Sequence, residues 1–325
     1  MRIGTLRVAL TAVAAVFALG NAAAAPTMLQ MPTGGVTGTY YMIGAPLAQY
    51  INEHSATIRV TPNTSGGGYE NLRRVDSALA QIGMTQPDTM FQAWNGLKPF
   101  DKQMRNWRVI GVVTPPMANH VVVLSSSKVR TVSDLKGKIF AIGAPGSGST
   151  VSMMEFLDYS GLKKDVDVRM LPHQDYPELL LDGKIAAFSR LAAVPASVVD
   201  EVASQKKVDL VDFGAEIDKS GFLQKYPYYQ KILVKAGTYK GIDRDVTLFG
   251  NAGYIIANKD VPDDVVYEFT KLAYSEGAIK VVGLAFKGAN LDPKNPFDGN
   301  IGPVHPGAAR FWKEVGVAVP EPILK

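Results

Sequence analysis

The architecture is written most clearly in Lys138–Tyr159, KIFAIGAPGSGSTVSMMEFLDY. Lys138–Ile142 is a short β-rich run, and Thr150–Tyr159 carries helical patterning that closes near Gly161. Between them Gly143, Gly146 and Gly148 are interleaved with Ser147, Ser149 and Thr150. A strand that turns through glycine into a helix is the unit from which α/β proteins are built. The same design occurs twice more. Met28–Met31 leads into Thr33-Gly34-Gly35-Val36-Thr37-Gly38-Thr39-Tyr40-Tyr41, and Ile58–Thr61 leads into Asn63-Thr64-Ser65-Gly66-Gly67-Gly68 ahead of Tyr69–Ala80. Nine of the 31 glycines fall in these three clusters.

Outward from these units, further β-rich runs lie at Gln81–Thr85, Arg108–Val113, Val121–Leu124 and Val166–Leu171, then at Ile185–Phe188, Val208–Val211 and Tyr254–Ala257. With helical patterns between them, ten strands predict an α/β fold with mostly parallel strands and more than one sheet. Short helices at Ser133–Lys136 and Tyr176–Leu181 close on Gly137 and Gly183. Pro262-Asp263-Asp264 opens a longer helix whose apolar stripe is Val265, Val266, Phe269, Leu272 and Ala273, a core face. Pro46 falls inside the helix that Thr39 begins, so that helix is either kinked there or regular only from Pro46 onward. No repeat, low-complexity tract or Pro/Ser-rich linker separates beads on a string. Two lobes in contact are expected, residues 25–115 plus 250–325 and residues 116–249. Thr114–Val123 and Leu248–Ala257 would cross between them, beside a ligand cleft.

Composition narrows the chemistry. A chain of 325 residues with 46% hydrophobic and 20% charged residues can bury a sizeable core. It has no cysteine, which excludes disulfides, thiol nucleophiles and cysteine-ligated metal sites. Thirty-four Lys and Arg against 30 Asp and Glu give +4, with the signs interspersed, so nothing draws the chain to nucleic acid.

The N-terminus reads as an address. Arg2 and Arg7 precede the apolar run Val8–Leu19, and Ala22–Ala25 offers small residues for cleavage. Residues 1–24 are therefore expected to be a secretory signal peptide cut after Ala24, leaving a mature chain of charge +2 in the periplasm. The apolar run is shorter than the roughly 20 residues that span a bilayer. A lipoprotein anchor would need a cysteine, so a freely diffusing protein is expected.

A helix start presents N–H groups with no partner and a partial positive charge, and a glycine entry lets a ligand approach that backbone. Ser and Thr hydroxyls add donors. Each cluster alone could be a tight turn with an ordinary cap, but three of one design point to an anion site. Nucleotide readings fail on detail. Gly143–Thr150 has the phosphate-loop spacing, but Ser149 stands where the lysine is required, and no third glycine follows Gly146 and Gly148 at dinucleotide spacing. No Gly-x-Ser-x-Gly or His-Glu-x-x-His motif is present, and His54, His120, His173 and His305 lie far apart, as surface or packed residues would.

Taken in order, the sequence offers the Thr33–Tyr41 cluster, Asn71-Leu72 ahead of Gln81-Ile82-Gly83 and Gln86-Pro87-Asp88. Asp134-Leu135-Lys136-Gly137-Lys138, Ala141–Ser149, Ala236-Gly237-Thr238-Tyr239 and His305-Pro306-Gly307-Ala308 follow. Over nearly the whole mature chain this series resembles the TAXI family, the solute-binding subunits of one class of tripartite ATP-independent periplasmic (TRAP) transporters. The resemblance implies a two-lobed, periplasmic-binding-protein-like (type II) fold. It further implies a monomer without cofactor, metal or catalysis, which closes on an organic acid or acidic amino acid of the glutamate or 2-oxoglutarate type. The ligand would pass to TRAP membrane permease subunits. By the same resemblance, Gly38, Thr39 and Tyr40 would make the first helix-start contact and Ser65 and Gly66 the second. Gln86 would add a side-chain amide, and Ser147, Gly148, Ser149 and Thr150 would donate from the other lobe.

One segment departs from the pattern. After Phe188 the family commonly continues with an aromatic residue and a Gly-Gly pair before a proline, where this chain reads Ser189-Arg190-Leu191-Ala192-Ala193-Val194-Pro195. Arg190 is either a clamp for a second carboxylate, favouring a diacid, or an exposed or structurally paired arginine. The same lobes could instead dock on a receptor kinase, and an enzyme on this scaffold is a third reading.

Overall fold

From its first strand the chain runs β1 (Thr27–Pro32), α1 (Thr39–His54), β2 (Ile58–Asn63), α2 (Gly68–Asp76), β3 (Ile82–Thr85), α3 (Pro87–Asn95) and β4 (Trp107–Val112). It continues through β5 (Met117–Leu124), β6 (Ile139–Ala141), α4 (Gly148–Tyr159), β7 (Asp167–Arg169), α5 (Tyr176–Leu181), β8 (Ala187–Ala192), α6 (Ser197–Ala203) and β9 (Val208–Leu210). The last part holds α7 (Gly214–Ser220), α8 (Phe222–Lys225), β10 (Gln230–Val234), β11 (Val246–Asn251), β12 (Tyr254–Asn258), α9 (Asp263–Ala273), α10 (Glu276–Ala285) and α11 (Pro306–Glu314). This computed structural model describes residues 25–325 apart from 37, 146, 287, 288 and 290. The expected signal peptide lies outside the described residues, as do Thr37 and Gly146 of the glycine clusters.

All ten expected strands form, in three sheets. β1 pairs with β2, β3–β12–β4 form a second sheet, and seven strands form the largest, β10–β11–β5–β8–β6–β7 with β9 beside β5. The expectation of mostly parallel strands is corrected. Only β1–β2, β6–β7 and β6–β8 are parallel, while β12 lies antiparallel to β3 and β4 and β5 antiparallel to β8, β9 and β11. The reversals come from the long connecting strands. β5 is buried along nearly its whole length and is shared, with β11 at its start and β9 at its end on one side and β8 on the other. Such burial on both faces suits its unbroken Val121-Val122-Val123 run.

β10 and β11 were not expected as strands. Gln230 and Lys231 are exposed and Leu233 is 50% exposed, so β10 shows no buried alternation, and β11 ends in Gly250-Asn251, residue types depleted from strands. α1 runs from Thr39 through Pro46 to His54, so its regular part begins ahead of the proline. The α9 stripe is core as expected, with Val266, Phe269 and Ala273 buried in a cluster that includes Trp312, Ile43 and Leu47. Asn71 in α2 donates to the carbonyls of Thr33 and Met84 at 2.7 Å each, tying the end of β1 to the end of β3. A second core packs under the large sheet, where Phe156 of α4 lies 5.0–5.1 Å from the rings of Phe213, Phe222 and Phe249. The two cores leave the carboxyl ends of β1, β2, β3 and β6 and the starts of α1, α2, α3 and α4 facing one space, the usual ligand position in open α/β sheets.

Candidate functional site

Four strand-to-helix junctions converge on a cavity of about 190 Å³. The first brings Gly38, Thr39 and Tyr40, the second Gly66–Gly68, the third Gln86, and the fourth Ser147–Ser149. Arg190 and Leu191 reach it from β8, His173 and Gln174 from the turn before α5, and Met117 from the start of β5.

Local chemistry fixes each junction. Gly143 holds φ +122°, and a side chain there would run into the hydroxyls of Ser147 and Thr150, so β6 can enter α4 only through glycine. Ser147 caps α4 by accepting from the Thr150 N–H at 3.3 Å. α1 and α2 begin instead on Gly38 and Gly67, which offer their first-turn N–H groups no side-chain acceptor. Thr39, Tyr40 and Gly68, which carry some of these groups, line the cavity. Ser149 accepts the Leu191 N–H at 2.8 Å, which leaves its own proton for a ligand oxygen. Gln86 accepts from the Tyr40 hydroxyl at 3.0 Å, and its amide is packed so closely on Gly68 and Gly148 that a Cβ on either would overlap it.

Eleven site residues were expected and nine line this cavity; Ser65 and Thr150 do not. The Ser65 hydroxyl donates to Asn71 at 2.6 Å and accepts from the Gly67 N–H. The Thr150 hydroxyl donates to the Ala144 carbonyl at 2.7 Å. Both serve the turns rather than the cavity. The Gly66 N–H is also occupied, by Glu70 at 2.6 Å. His173, Gln174, Met117 and Thr33 line the cavity without having been expected. Thr33 belongs to a glycine cluster and was in principle findable, but no motif marks the other three.

The charge of the site is simple. Arg190 is the one charged side chain lining the cavity among the described residues. Burial lowers its pKa from the ordinary value without neutralising a guanidinium, and no acid of the described residues pairs with it. Burial, and then the charge of Arg190, push His173 down to about 3, so its imidazole is neutral, and its Nε2 is buried without a partner. The hydroxyls of Thr85 and Ser189 are buried without partners as well. Among the described residues, one cation and the starts of three helices give the cavity a positive potential.

Beyond Gln86 lies a separate polar cluster. Asp88 of α3 is fully buried, accepts from Asn251 Nδ2 at 3.2 Å, and receives the Tyr229 hydroxyl at 3.3 Å. That hydroxyl also lies 2.9 Å from Glu155 of α4, which accepts from Tyr228 at 2.9 Å and from Gln92 at 2.7 Å. Burial first and the neighbouring Glu155 second raise Asp88 to about 7. Among the described residues no group of three or more metal-binding side chains gathers, and no helix is long and apolar enough to cross a membrane.

These sheets, and a cleft floored by helix starts, are the fold of two-lobed periplasmic binding proteins. The structure is similar to a putative L-cystine ABC transporter protein from Listeria monocytogenes, at a TM-score of 0.52 and 12% identity over 82% of this chain and 99% of that one. A Bordetella bronchiseptica RB50 protein gives a TM-score of 0.52 and 17% identity over 84% and 87%. The periplasmic aliphatic sulphonate binding protein SsuA from Escherichia coli aligns at a TM-score of 0.48, with 17% identity over 81% and 79%. At such identities the likeness concerns the fold. The chain belongs to the NMT1-like family, whose family model matches residues 31–316.

Proposed function

We propose that this protein is a periplasmic solute-binding protein that closes on a small organic anion and delivers it to a membrane permease. The observation that carries the reading is Arg190, a half-buried arginine with no acidic partner among the described residues, set in one cavity with the uncapped starts of α1 and α2. The lobes are residues 25–115 with 250–325, and residues 116–249. Gly38, Thr39, Tyr40, Gly66 and Gln86 line the cavity from the first, and Ser147, Gly148, Ser149 and Arg190 from the second. A ligand bridging both favours the closed state by the extra contacts it makes there. About three charge-assisted bonds, at roughly 1.5–3 kcal/mol each, suit micromolar binding near −8 kcal/mol.

The resemblance to the TAXI family supports a TRAP permease as partner and an acid of the glutamate or 2-oxoglutarate type as ligand. Helix-start N–H groups would hold one carboxylate and Arg190 the second. Calorimetric titration with mono- and dicarboxylates and acidic amino acids is expected to give micromolar binding of at least one; no heat with any of them overturns the reading. Arg190→Ala should weaken a diacid by roughly ten- to hundredfold and a monoacid less. Equal losses would refute the second-carboxylate clamp.

A further inference from the structure

The cavity does not end at Arg190. A second chamber of about 270 Å³ adjoins it and shares four of its residues, Thr39, His173, Gln174 and Arg190. Beyond these shared residues the lining mixes carbon with polar groups, Ser197 and Glu201 among them. Met42 of α1, Pro177, Ala192, Ala193, Pro195 and Val198 present carbon surfaces, and no further cation joins them among the described residues. Glu201, the one acid lining the chamber among the described residues, is exposed on α6. Its charge repels an anion and so favours a ligand whose anionic end lies toward Arg190.

The far wall is held from behind. The Ala196 N–H donates to the Tyr239 hydroxyl at 2.7 Å, and because the proton of the neutral His120 ring is held at Nδ1 by a carbonyl, that hydroxyl donates to His120 Nε2 at 2.7 Å. His120 Nδ1–H then donates to the Ala118 carbonyl at 2.9 Å, inside β5. A buried relay anchored in the central strand of the large sheet thus holds Ala196 in the far wall.

We infer that this second chamber is a subsite for an uncharged, apolar tail, so that the ligand is an amphipathic acid whose carbon chain passes Arg190. The inference rests on the anion-binding reading above and narrows it. The acid head lies among the helix starts and Arg190, and the tail lies between α1 and the β8–α6 segment. A compact diacid would leave the chamber to water, whereas each methylene placed there adds about fourfold in affinity.

Calorimetry of the full protein with unbranched 2-oxo acids from pyruvate to 2-oxooctanoate tests this. Affinity is expected to climb about fourfold per methylene until the chamber is full. Met42→Trp and Ala192→Phe, which fill the chamber from its two sides, are expected to remove that climb and to spare the shortest acid that binds. Met42 is 37% exposed on its helix, so its variant should fold even if Ala192→Phe does not; unfolding midpoints report this. If short acids bind and affinity stays flat or falls with length, the tail subsite is refuted while the anion-binding reading stands. If no acid of this series gives heat while a dicarboxylate does, the tail subsite falls and the anion-binding reading stands; if dicarboxylates and acidic amino acids are silent as well, both fall.

Discussion

The amide of Gln86 lies between two glycines drawn from different parts of the chain, Gly68 at the start of α2 and Gly148 at the start of α4. At Gly148 a Cβ would overlap Gln86 Nε2 and come within 3.2 Å of Leu191. Gly148→Ala should therefore push the amide into the cavity. Because the displaced group is the flexible end of a side chain, and alanine favours a helix over glycine by up to about 1 kcal/mol, stability should change little. Affinity for the acid ligand should fall by about tenfold. A variant with unchanged affinity in calorimetry would show that the Gln86 amide is free to move aside. Gln86 was picked out in the sequence through the family resemblance, and Arg190 because it interrupts that family's pattern. His173 and Gln174 were not. They sit in a turn with no motif of their own, and they meet Arg190 only because β6 pairs with β7 on one side and β8 on the other.

Among elements, α3 and α4 are joined by Asp88, Tyr229 and Glu155, and one hydroxyl proton cannot satisfy both carboxylates. The Asp88 carboxyl, raised from 3.8 to about 7, holds its proton more tightly in the folded chain than in the unfolded one. Its contribution to stability is complete below the unfolded value and is lost as pH rises through about 7. Burial raises Glu155 as well, in the same direction. The unfolding midpoint should therefore drop between pH 5 and 8, and Asp88→Asn should flatten most of that slope, Glu155 keeping a smaller part. Parallel slopes in the two proteins would locate the titrating group elsewhere. Helices at this scale were readable from their ends: glycine after, proline or carboxylates before. β10 and β11 were not, because an edge strand with exposed Gln230, Lys231 and Leu233 has no buried face to set a period of two.

For the whole molecule, the proposed closure ties binding to global stability. An acid at a hundred times its dissociation constant should add about 2.7 kcal/mol against unfolding. Small-angle scattering should then show a smaller radius of gyration than for the free protein. A ligand that binds by calorimetry yet changes neither quantity would argue against closure. The α/β class was legible because strand and helix patterns alternate along the sequence. Strand direction was not, since β5 and β12 meet partners more than a hundred residues away and no local pattern records which way a distant strand will run.

In the proposed function, part of the hold on the anion falls to main-chain N–H groups at the starts of α1 and α2, which every substitution but proline leaves in place. On the inferred tail subsite, the choice of what that anion is attached to would fall largely to side chains in one short span, Arg190 to Val198, with Met42 and Pro177 opposite. Duplicated copies of such a gene can therefore diverge in diet a codon or two at a time, without passing through a form that binds no acid at all.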